Sequence, residues 1–570
     1  MFNVVKLKSI LDKLVYQDIY HVIDENMSCS NIGARKNRNI RDHLFVVNAV
    51  LNDVIQNKRE DIDIQIYDIM KCFDKMWFEE TANDIFEAGI TDDNFVLMAN
   101  ANQKSNVAVK TPWGSVTRRV QMNRVEMQGT NPAPLKCSVQ VDTLGKDCLS
   151  NGEGLFLYKE CTNIPALTFV DDTLAFTTCG TESVKLNAKI QSKFDSKRLE
   201  LGFDKCYKMH VGTKNKDGCP ILKVKGQDMK TTNQETYLGD VLNTSGKIHN
   251  NIQSRCDKGQ GIINQTVSML EEISFGYYFF EIAIMFRNSM FLNGILCSSE
   301  VLYGVTKEHV EMLEKTDRMF MRRVFNCPVS TPIESYYLET STIPIKFILI
   351  GRRLMYLWTI LQKDDNELVK KVFDTQKKFP VKNDWVLQVQ EDLLLCKIDL
   401  SDEEIRNMKK EKFKKIVKES ISKLSEEYLT KLVEEHSKSE NLSATEGMQN
   451  YLSNENTTVK QKKLLFLLRS RMFQVKMNFK QSYSDLLCSL CGKEEESQQH
   501  LLQCEEIVND EEVRQMKKIS YEDIFSSPNK QTEAVKVWSK IEEVRNKKLK
   551  AKEKQERSSQ EDPMCTLGAS

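Results

Sequence analysis

The sequence has no excess of charge of either sign. Its 81 lysines and arginines balance its 81 aspartates and glutamates, so the chain is not coated in positive charge, although this balance still allows a local basic groove. There is no internal repeat, and the first residues have no apolar core of the signal-peptide kind. The 16 cysteines are scattered along the chain. Together these features predict a reduced, intracellular compartment and not a disulfide framework.

The chain also lacks an uninterrupted hydrophobic run that could span a membrane. Its most apolar stretch, FFEIAIMFRNSMFLNGILCSS from Phe279, is interrupted by Glu281, Arg287 and Asn288. This pattern predicts a buried helix, and no membrane partner is expected.

The chain has 570 residues, a length that predicts two to four domains. Its composition and its hydrophobic periodicity change along the sequence. Residues 1–240 mix short β-like runs with helical ones, which indicates an α+β fold. Residues 250–365 have helical periodicity, and residues 366–460 are rich in Lys and Glu with sparse apolar positions. That composition is typical of solvent-exposed helices that act as a spacer.

Two stretches of the α+β region place carboxylates where apolar residues are expected. IDIQIYD alternates strictly, so Asp68 lies on the apolar face at the end of a predicted strand. In LTFVDDTLAF, Asp171 and Asp172 separate two apolar strand halves, which predicts a hairpin with a tight turn at the two aspartates.

Taken singly, these carboxylates have an ordinary explanation. The aspartate pair can be only a turn, and Asp68 can be only the N-cap of a following helix. If the two strands are antiparallel neighbours, however, the carboxylates converge, and like charges so close raise one another's pKa unless cations neutralise them. Oxygen ligands of this kind suit Mg²⁺ and two-metal phosphoryl transfer.

Six blocks that occur in order over about residues 28–240 resemble the reverse transcriptase of non-LTR (LINE-type) retrotransposons. They are NIGARKNRNIRDHLF, YDIMKCFDKMW, MQGTNPAPLKCSVQVDTLGK, FVDD, FDKCYKMHVG and YLGDVL. Each block is weak alone, but their order is specific. The resemblance implies a right-hand polymerase with fingers, palm and thumb that copies an RNA template by adding dNTPs to a DNA primer.

The resemblance also implies roles for individual residues. Asp68 and Asp171 would hold two Mg²⁺ ions with the support of Asp172, and Lys205 would assist the departure of pyrophosphate. The remaining implied contacts to nucleotide or template are Phe73 (which would exclude a ribose 2′-OH), Gln128, Gly129, Arg35 and Lys36.

A rival in the same fold class is an RNA-templated RNA polymerase, against which Phe73 argues. The sequence also departs from the family. The fingers block, NIGARKNRNIRDHLF, begins only some 30 residues from the start, and Asn131-Pro132 stands where the family usually has an apolar pair. The N-terminal endonuclease that such elements commonly carry is expected to be missing. These departures predict an N-terminally truncated copy. The alternative function is therefore a catalytically inactive, nucleic-acid-binding remnant.

A compact cluster near the C-terminus has the spacing C-x2-C-x8-H-x3-C. Its members are Cys488, Cys491, His500 and Cys504. Four such ligands fill a tetrahedral shell, so the spacing predicts a structural Zn²⁺ site. Ordinary buried residues are the alternative. The cluster resembles the C-terminal zinc knuckle of non-LTR retrotransposon proteins, which implies a contact with nucleic acid.

The segment before this cluster, KKLLFLLRSRMFQVKMNFK, interleaves basic and aromatic residues. Two interpretations remain open. Its basic groups can follow phosphates while its aromatics stack on bases, or it is an amphipathic helix that docks on the core.

These observations predict an α+β right-hand polymerase followed by an all-helical region and a small zinc knuckle. The expected parts are 1–45 partial fingers, 46–245 palm with finger elements, 246–365 helical thumb, 366–460 charged helical connector, 461–510 basic helix plus zinc knuckle, and 511–570 a charged, largely disordered tail. Nuclear localisation is expected from how such elements integrate. The sequence makes no prediction of oligomeric state.

Overall fold

The structure is a computed structural model that describes residues 2–57, 60–103, 106–121, 131–152, 154–158, 161–212, 220–273, 276 and 278–560. In its first half the helices are α1 (Phe2–Asn26), α2 (Ile40–Gln56), α3 (Cys72–Lys75), α4 (Phe78–Glu87), α5 (Asp93–Gln103), α6 (Ala133–Ser150), α7 (Thr181–Ser196), α8 (His249–Glu272) and α9 (Phe279–Phe286).

The later helices are α10 (Leu292–Ile295), α11 (Lys307–Phe325), α12 (Ile333–Thr340), α13 (Ile345–Leu361), α14 (Leu368–Lys378), α15 (Trp385–Leu395), α16 (Asp402–Asn407), α17 (Lys410–Glu435), α18 (Asn450–Ser453), α19 (Val459–Arg469), α20 (Gln498–Leu501), α21 (Glu505–Val508), α22 (Glu511–Arg514) and α23 (Pro528–Gln560).

The strands lie in the first half of the chain. They are β1 (Ile62–Asp68), β2 (Asn106–Val107), β3 (Val120–Gln121), β4 (Leu155–Leu157), β5 (Thr162–Ile164), β6 (Leu167–Phe169), β7 (Asp172–Thr178), β8 (Tyr207–Val211), β9 (Lys223–Val224), β10 (Gln227–Asp228), β11 (Lys230–Thr231), β12 (Gln234–Tyr237) and β13 (Asp240–Asn243).

Two compact units divide the chain. The first comprises Met1–Asn251, Ser298–Thr306 and Arg352–Lys415, and the second comprises Ile252–Cys297, Lys307–Gly351 and Ile416–Ser570. The first unit contains a five-stranded sheet of order β11-β8-β1-β7-β6, in which only the β11–β8 pair is parallel. This mixture of helices and an antiparallel sheet agrees with the predicted α+β class.

Strand β1 is the centre of this sheet, and both of its faces are buried. The alternation of the sequence predicted one apolar and one polar face, but Gln65 on the polar face is fully buried and donates to the Ser183 carbonyl at 2.9 Å. Tyr67 on the same face joins a core that includes residues of α6 and α7. Helices therefore cover the side that alternation assigned to solvent, because β1 is a central strand and not an edge strand.

The structure divides the segment 366–460 that composition predicted to be an exposed spacer. Its part up to Lys415 belongs to the first unit, where Val372, Phe373 and Trp385 are buried. Its later part belongs to the second unit and buries Leu429 against a core that includes Tyr337. The few apolar residues of the segment are enough to pack its first part into the core of the first unit and its later part into a core of the second unit.

The second unit is helical over the residues described. Leu313, Phe320 and Val324 of α11 are at most 2 % exposed, as their helical spacing predicted. The apolar stretch from Phe279 forms α9, a π-helical turn and α10, and Arg287 in that turn pairs with buried Asp317 at 2.6 Å. This charge pair explains how a buried helix accommodates the arginine.

Composition predicted a largely disordered tail over 511–570, yet the structure has the long helix α23 there. The helix places Val535, Trp538 and Ile541 at helical spacing, and each is at most 2 % exposed. That apolar stripe gives the first half of α23 a buried face, which the charge-rich composition of the region conceals.

None of the helices in the described part of the chain is both long enough and apolar enough to cross a membrane.

Candidate active site

Strand pairing brings the three predicted carboxylates together. β1 and β7 are antiparallel, and their register places Asp68 directly opposite Asp172. Asp171 is the residue before Asp172, in the turn that joins β6 to β7. Residues that pair across antiparallel strands project to the same side of the sheet. We call Asp68, Asp171 and Asp172 the carboxylate site.

The hairpin of LTFVDDTLAF has its turn one residue earlier than the sequence predicted. Phe169 pairs with Asp172, so the two turn residues are Val170 and Asp171, and Asp172 already belongs to β7. Val170 has a φ of 57°, the positive value that the first residue of a type II′ turn requires. A β-branched residue there stores about 1–3 kcal/mol of strain, so the surrounding structure must hold the turn in place.

Segment 30–33 provides that support. It runs alongside β6, where the Ile32 amide donates to the Thr168 carbonyl at 3.2 Å and the Thr168 amide donates to Ser30 at 3.1 Å. Gly33 then passes so close to the turn that a Cβ on it would lie 2.7 Å from the Val170 nitrogen and clash with the Ser138 hydroxyl. The fingers block is thereby built against the carboxylate site.

The support includes residues that sequence reasoning missed. Asn31 donates to the Ser138 carbonyl at 2.9 Å and accepts the Gly33 amide at 3.0 Å. The signal in the sequence that could have pointed to this role is Gly33, two residues after Asn31, because a glycine permits close approach of the backbone.

The carboxylates disfavour one another's ionisation. Burial, together with the charges of Asp171 and Asp68, raises the pKa of the Asp172 carboxyl to about 6. Burial and the charge of Asp68 also raise the pKa of Asp171, against the opposing charge of Lys205. The ammonium of Lys205 lies 3.3 Å from Asp68 Oδ1, and the lysine side chain is 70 % exposed. One exposed ammonium does not balance three carboxylates, so the site is suited to bind further cations with a preference for oxygen ligands.

The arginines of the fingers block are occupied by protein groups. Arg35 is buried and donates four hydrogen bonds, two to Asp24 and one each to the Ser28 and Asn31 carbonyls. Its guanidinium therefore holds the loop, and the nucleotide or template contact that the resemblance implied for Arg35 stays a prediction. Lys36 is exposed, and its ammonium lies 4.2 Å from the centroid of the Tyr20 ring.

Of the other residues for which the resemblance implied a nucleotide contact, the structure describes some and not others. Phe73 is half-buried and packs on the core that contains Tyr67 and Ile69. Gln128 and Gly129 lie outside the described residues. The proline after them, Pro134, occupies the first turn of α6, a favoured position for proline.

The YLGDVL block forms the hairpin of β12 and β13. Leu238 and Gly239 are its two turn residues, and both have positive φ, the pattern of a type I′ turn. The Tyr237 ring is buried, and its hydroxyl lies 3.3 Å from Nδ1 of His43. The hairpin is thus tied to α2, whose first residues belong to the fingers block.

The predicted zinc ligands meet in the second unit. The ligand atoms of Cys488, Cys491, His500 and Cys504, here called the Cys/His cluster, all lie within 4.8 Å of one another. The Cys488 and Cys504 sulfurs are 3.9 Å apart, and the Cys491 sulfur is 3.4 Å from His500 Nε2. A tetrahedral zinc site has S–S edges of about 3.8 Å and S–N edges of about 3.6 Å, from its ordinary bond lengths, so this donor set fits Zn²⁺.

The His500 ring has the second contact that zinc-binding histidines usually make. Its Nδ1 lies 2.9 Å from Oε2 of Glu494, which leaves Nε2 facing Cys491. A carboxylate on the far nitrogen fixes the ring and its tautomer for metal binding.

The basic segment before the cluster has two parts with different environments. Phe466 is buried and stacks on Phe325 with ring centroids 4.0 Å apart, and Arg469 is buried and bonded to Glu339 at 3.0 Å. The first part is therefore a helix that docks on the core, whereas Phe479 is half-buried and Lys480 is exposed.

Solved telomerase structures share a low likeness with this chain. Apo telomerase from Candida tropicalis is 11% identical with a TM-score of 0.33, over 67% of this chain and 61% of that chain. The same protein truncated from its C-terminal domain is 13% identical with a TM-score of 0.30, over 41% and 44%. Telomerase from Candida albicans in complex with a fragment of telomeric RNA is 12% identical with a TM-score of 0.30, over 68% and 56%.

Each of these matches spans less than two thirds of the telomerase chain. TM-scores this low carry no argument about this protein. No curated protein sequence matches the chain.

A protein family does match. Residues 4–242 fit the family described as reverse transcriptase (RNA-dependent DNA polymerase). The matched range contains segment 30–33, all of the carboxylate site and Lys205, which are the residues that the sheet brings together. The chain therefore carries a reverse transcriptase domain over residues 4–242.

Proposed function

We propose that this protein is an RNA-directed DNA polymerase of a retrotransposable element of the non-LTR type, working in the nucleus. The observation that carries the proposal is the β1–β7 register, which places Asp68 opposite Asp172 and beside Asp171 within a reverse transcriptase domain. The substrates are dNTPs, a DNA primer and an RNA template.

In this proposal the carboxylate site holds two Mg²⁺ ions. Asp68 and Asp171 are the ligands, and Asp172 supports them from the first position of β7. Held by these carboxylates, Mg²⁺ would supply activation of a primer 3′-OH and neutralisation of the charge on pyrophosphate. Burial first, and the neighbouring carboxylate charges second, raise the pKa of Asp171 and of Asp172. This supports the assignment, because bound cations would favour the ionised forms that both causes disfavour.

The chain's own groups have further roles around this site. Lys205 stands 3.3 Å from Asp68 on an exposed stem, where its ammonium can give a proton to departing pyrophosphate. Phe73 blocks the space that a ribose 2′-OH needs, which selects dNTPs. The Cys/His cluster binds a structural Zn²⁺ ion that holds the C-terminal region together.

A primer-extension assay tests the polymerase. With poly(rA)/oligo(dT) and Mg²⁺, we expect the wild-type protein to incorporate dTTP and Asp68→Asn or Asp171→Asn to lose roughly 10³-fold or more of that rate. Asp204→Asn is the matched control, because Asp204 precedes Lys205 but its carboxylate is 90 % exposed and pairs with Lys230. Undiminished incorporation by either ligand variant would refute the proposal.

The second candidate is a nucleic-acid-binding remnant without catalysis. It is favoured by the fingers block, where Arg35 and Arg38 are bonded to Asp24 and Arg41 is bonded to Glu300. Guanidinium groups neutralised in this way do not face a triphosphate. Template binding by the wild-type protein without any Mg²⁺-dependent incorporation would support this candidate instead.

The element type and the compartment need separate tests. Target-primed synthesis, with a nicked DNA end as the primer and the element's own RNA as the template, would distinguish a non-LTR enzyme from other reverse transcriptases. A fluorescent fusion of the full chain should concentrate in the nucleus, and exclusion from the nucleus would contradict the localisation.

A further inference from the structure

The second unit contains a cavity of about 690 Å³ beside the Cys/His cluster. Its walls come from the loop at 437–438, from the end of the basic segment and from α20, the short helix that carries His500. We call it the lysine cavity, because Lys438 and Lys480 line it. A volume of this size is typical of sites that bind ligands as large as a nucleotide.

Two of the cations in this cavity have no carboxylate partner in the part of the chain that the structure describes. Lys438 is half-buried, and the contacts of its ammonium are the Phe479 ring, 4.9 Å away, and Met472 Sδ, 3.9 Å away. Burial lowers the pKa of this ammonium. Lys480 also lines the cavity and is exposed. An unpaired ammonium in a concave site favours an anionic ligand.

A third cation, Arg471, also lines the lysine cavity but forms an ion pair with Glu440. Glu440 therefore largely neutralises the charge of Arg471. The two lysines are the groups in the cavity that can contribute charge to a ligand.

An aromatic ring, Phe479, also lines the cavity. Phe479 interrupts the helical geometry of its segment with φ −132° and ψ 43°, and its ring is half-buried beside Lys438. The exposed amide side chains of Gln481 and Gln499 stand at the rim and make no hydrogen bond to other described residues. These groups match three features of a nucleotide. The ring can stack on the face of a base, the ammonium groups can bind phosphates, and the free amides can form hydrogen bonds with the edge of a base.

The cavity is held in shape by the turn and helix around the Cys/His cluster. Asn478 donates to Gln498 Oε1 at 3.0 Å, and the Met477 amide donates to the Glu496 carbonyl at 3.0 Å. Gln498 in turn donates to the Leu468 carbonyl at 3.0 Å. The wall that carries Phe479 is therefore pre-organised, which reduces the entropy cost of binding.

We propose that the lysine cavity binds a nucleotide of single-stranded nucleic acid, with one base stacked on Phe479 and the flanking phosphates on Lys438 and Lys480. The site is distinct from the carboxylate site, lies in the other unit and does not rest on polymerase activity. A duplex cannot present a base to Phe479, because its bases are already stacked on one another. The ligand is therefore a single strand.

Hydrogen exchange on the full-length protein tests this site directly. Titration with a 12-mer oligouridine should slow exchange of the amides in segment 476–482. Phe479→Leu keeps an apolar side chain but removes the ring, and it should raise the half-saturating oligonucleotide concentration by about fivefold to about 150-fold. Tyr483→Leu is the matched control, because Tyr483 is an exposed aromatic four positions on that does not line the cavity.

The charge contribution has its own signature. In the double variant Lys438→Gln and Lys480→Gln, the slope of log affinity against log salt should become shallower by about 1.4, since a single strand gives about 0.7 for each phosphate neutralised. Lys536→Gln, at an exposed position of α23 outside the cavity, should leave the slope unchanged.

The outcomes separate the ligands and the two proposals. Protection by oligouridine but not by oligothymidine of the same length assigns the site to RNA, and the reverse assigns it to DNA. No protection of 476–482 by either strand, protection by duplex alone, or the same half-saturation in both cavity variants as in the wild type overturns the proposal. Asp171→Asn should abolish incorporation and keep this protection, so a failed polymerase assay leaves the cavity test intact.

Discussion

The carboxylate site and the Cys/His cluster gather ligand atoms in opposite ways. In the first, Asp68 and Asp171 stand 103 positions apart (68 to 171) and meet because β1 pairs with β7. In the second, all four ligands lie between residues 488 and 504 and meet through a turn and one short helix. The first site depends on a whole sheet, whereas the second depends on a local fold that its own metal would stabilise.

The two sites also differ in how the structure treats their charge. The carboxylate site keeps three acids together at the cost of raised pKa values for Asp171 and Asp172. The Cys/His cluster supplies thiols and an imidazole at distances that a single Zn²⁺ ion fits. We therefore expect metal removal to unfold the second site and only to leave repulsion in the first.

The largest effect should come from removing zinc. Structural zinc contributes on the order of 10 kcal/mol to small domains of this kind, so Cys488→Ser or a zinc chelator should release the backbone amides of 486–504 to fast hydrogen exchange. Exchange in β1 and β7 should stay slow. Cys161→Ser, at an exposed cysteine in the first unit, is the control.

Metal analysis of the purified chain should also find one zinc per protein, lost in Cys488→Ser and kept in Cys161→Ser. Slow exchange at 486–504 after complete zinc removal would contradict this prediction, because it would show that the Cys/His cluster, like the sheet, stays folded without metal.

The next effect concerns the support of the aspartate turn. Gly33→Ala places a methyl group 2.7 Å from the Val170 nitrogen, and we expect it to lower the free energy of unfolding of the first unit by about 2 kcal/mol and to reduce incorporation by displacing Asp171. Thermal melting and primer extension measure the two effects.

Gly261→Ala in α8 is the matched control. A Cβ at Gly261 meets no atom within 4 Å, so this change should be neutral or stabilising by up to about 1 kcal/mol. Equal behaviour of the two glycine variants would show that the turn does not need segment 30–33.

A smaller effect should follow from relieving the repulsion between the carboxylates. The Asp172 pKa rises from 3.8 to about 6 on folding, so the folded state retains a proton between these values and stability falls as pH rises through this window. Asp172→Asn should remove that loss, worth about 1 kcal/mol after allowance for solvent contact. Its melting temperature at pH 7.5 without Mg²⁺ should exceed that of the wild type by about 2 °C.

The gain should shrink at pH 4.5, where the wild-type carboxyl is largely protonated, and also when Mg²⁺ is added to the wild type. A lower melting temperature for Asp172→Asn at pH 7.5 would mean that the carboxylate stabilises the fold, contrary to its raised pKa.

The smallest effect is expected at Lys205. Its ammonium lies 3.3 Å from Asp68 and is mostly exposed, so Lys205→Gln should tighten Mg²⁺ binding by about twofold to threefold through the loss of one screened positive charge. Calorimetric titration of Mg²⁺ measures this change. Weaker binding in the variant would indicate that Lys205 holds the carboxylates in their binding geometry.

Local patterns were enough for part of the fold and part of both sites. The strand IDIQIYD, the apolar halves around the aspartates, the stripe on α11 and the ligand spacing of the Cys/His cluster all follow from period and spacing within a few residues. Prediction was poorer where a neighbour decides the environment. The hairpin turn begins at Val170, one residue earlier than predicted. Helices cover the face of β1 that was predicted to be exposed. Helix α23 has a short apolar stripe that packs in the core, although the region is rich in charge.

The arginines of the fingers block show the same limit. The resemblance implied a nucleotide or template contact for Arg35, but it gave no sign that the guanidinium also donates to Asp24 and to two backbone carbonyls of its own loop. Which partner a guanidinium chooses depends on distances that the chain sets only when it is folded.

The sequence by itself determined which residue types were available and the local elements that carry them: the strand that ends at Asp68, the hairpin around Asp171 and the close spacing of the four residues of the Cys/His cluster. The tertiary structure alone decided that Asp68 faces Asp172 in register, that Gly33 supports a strained turn and that Lys438 and Phe479 line one cavity. The physical reason is that backbone propensity acts over a few residues, whereas register, burial and charge repulsion arise only when distant segments pack together.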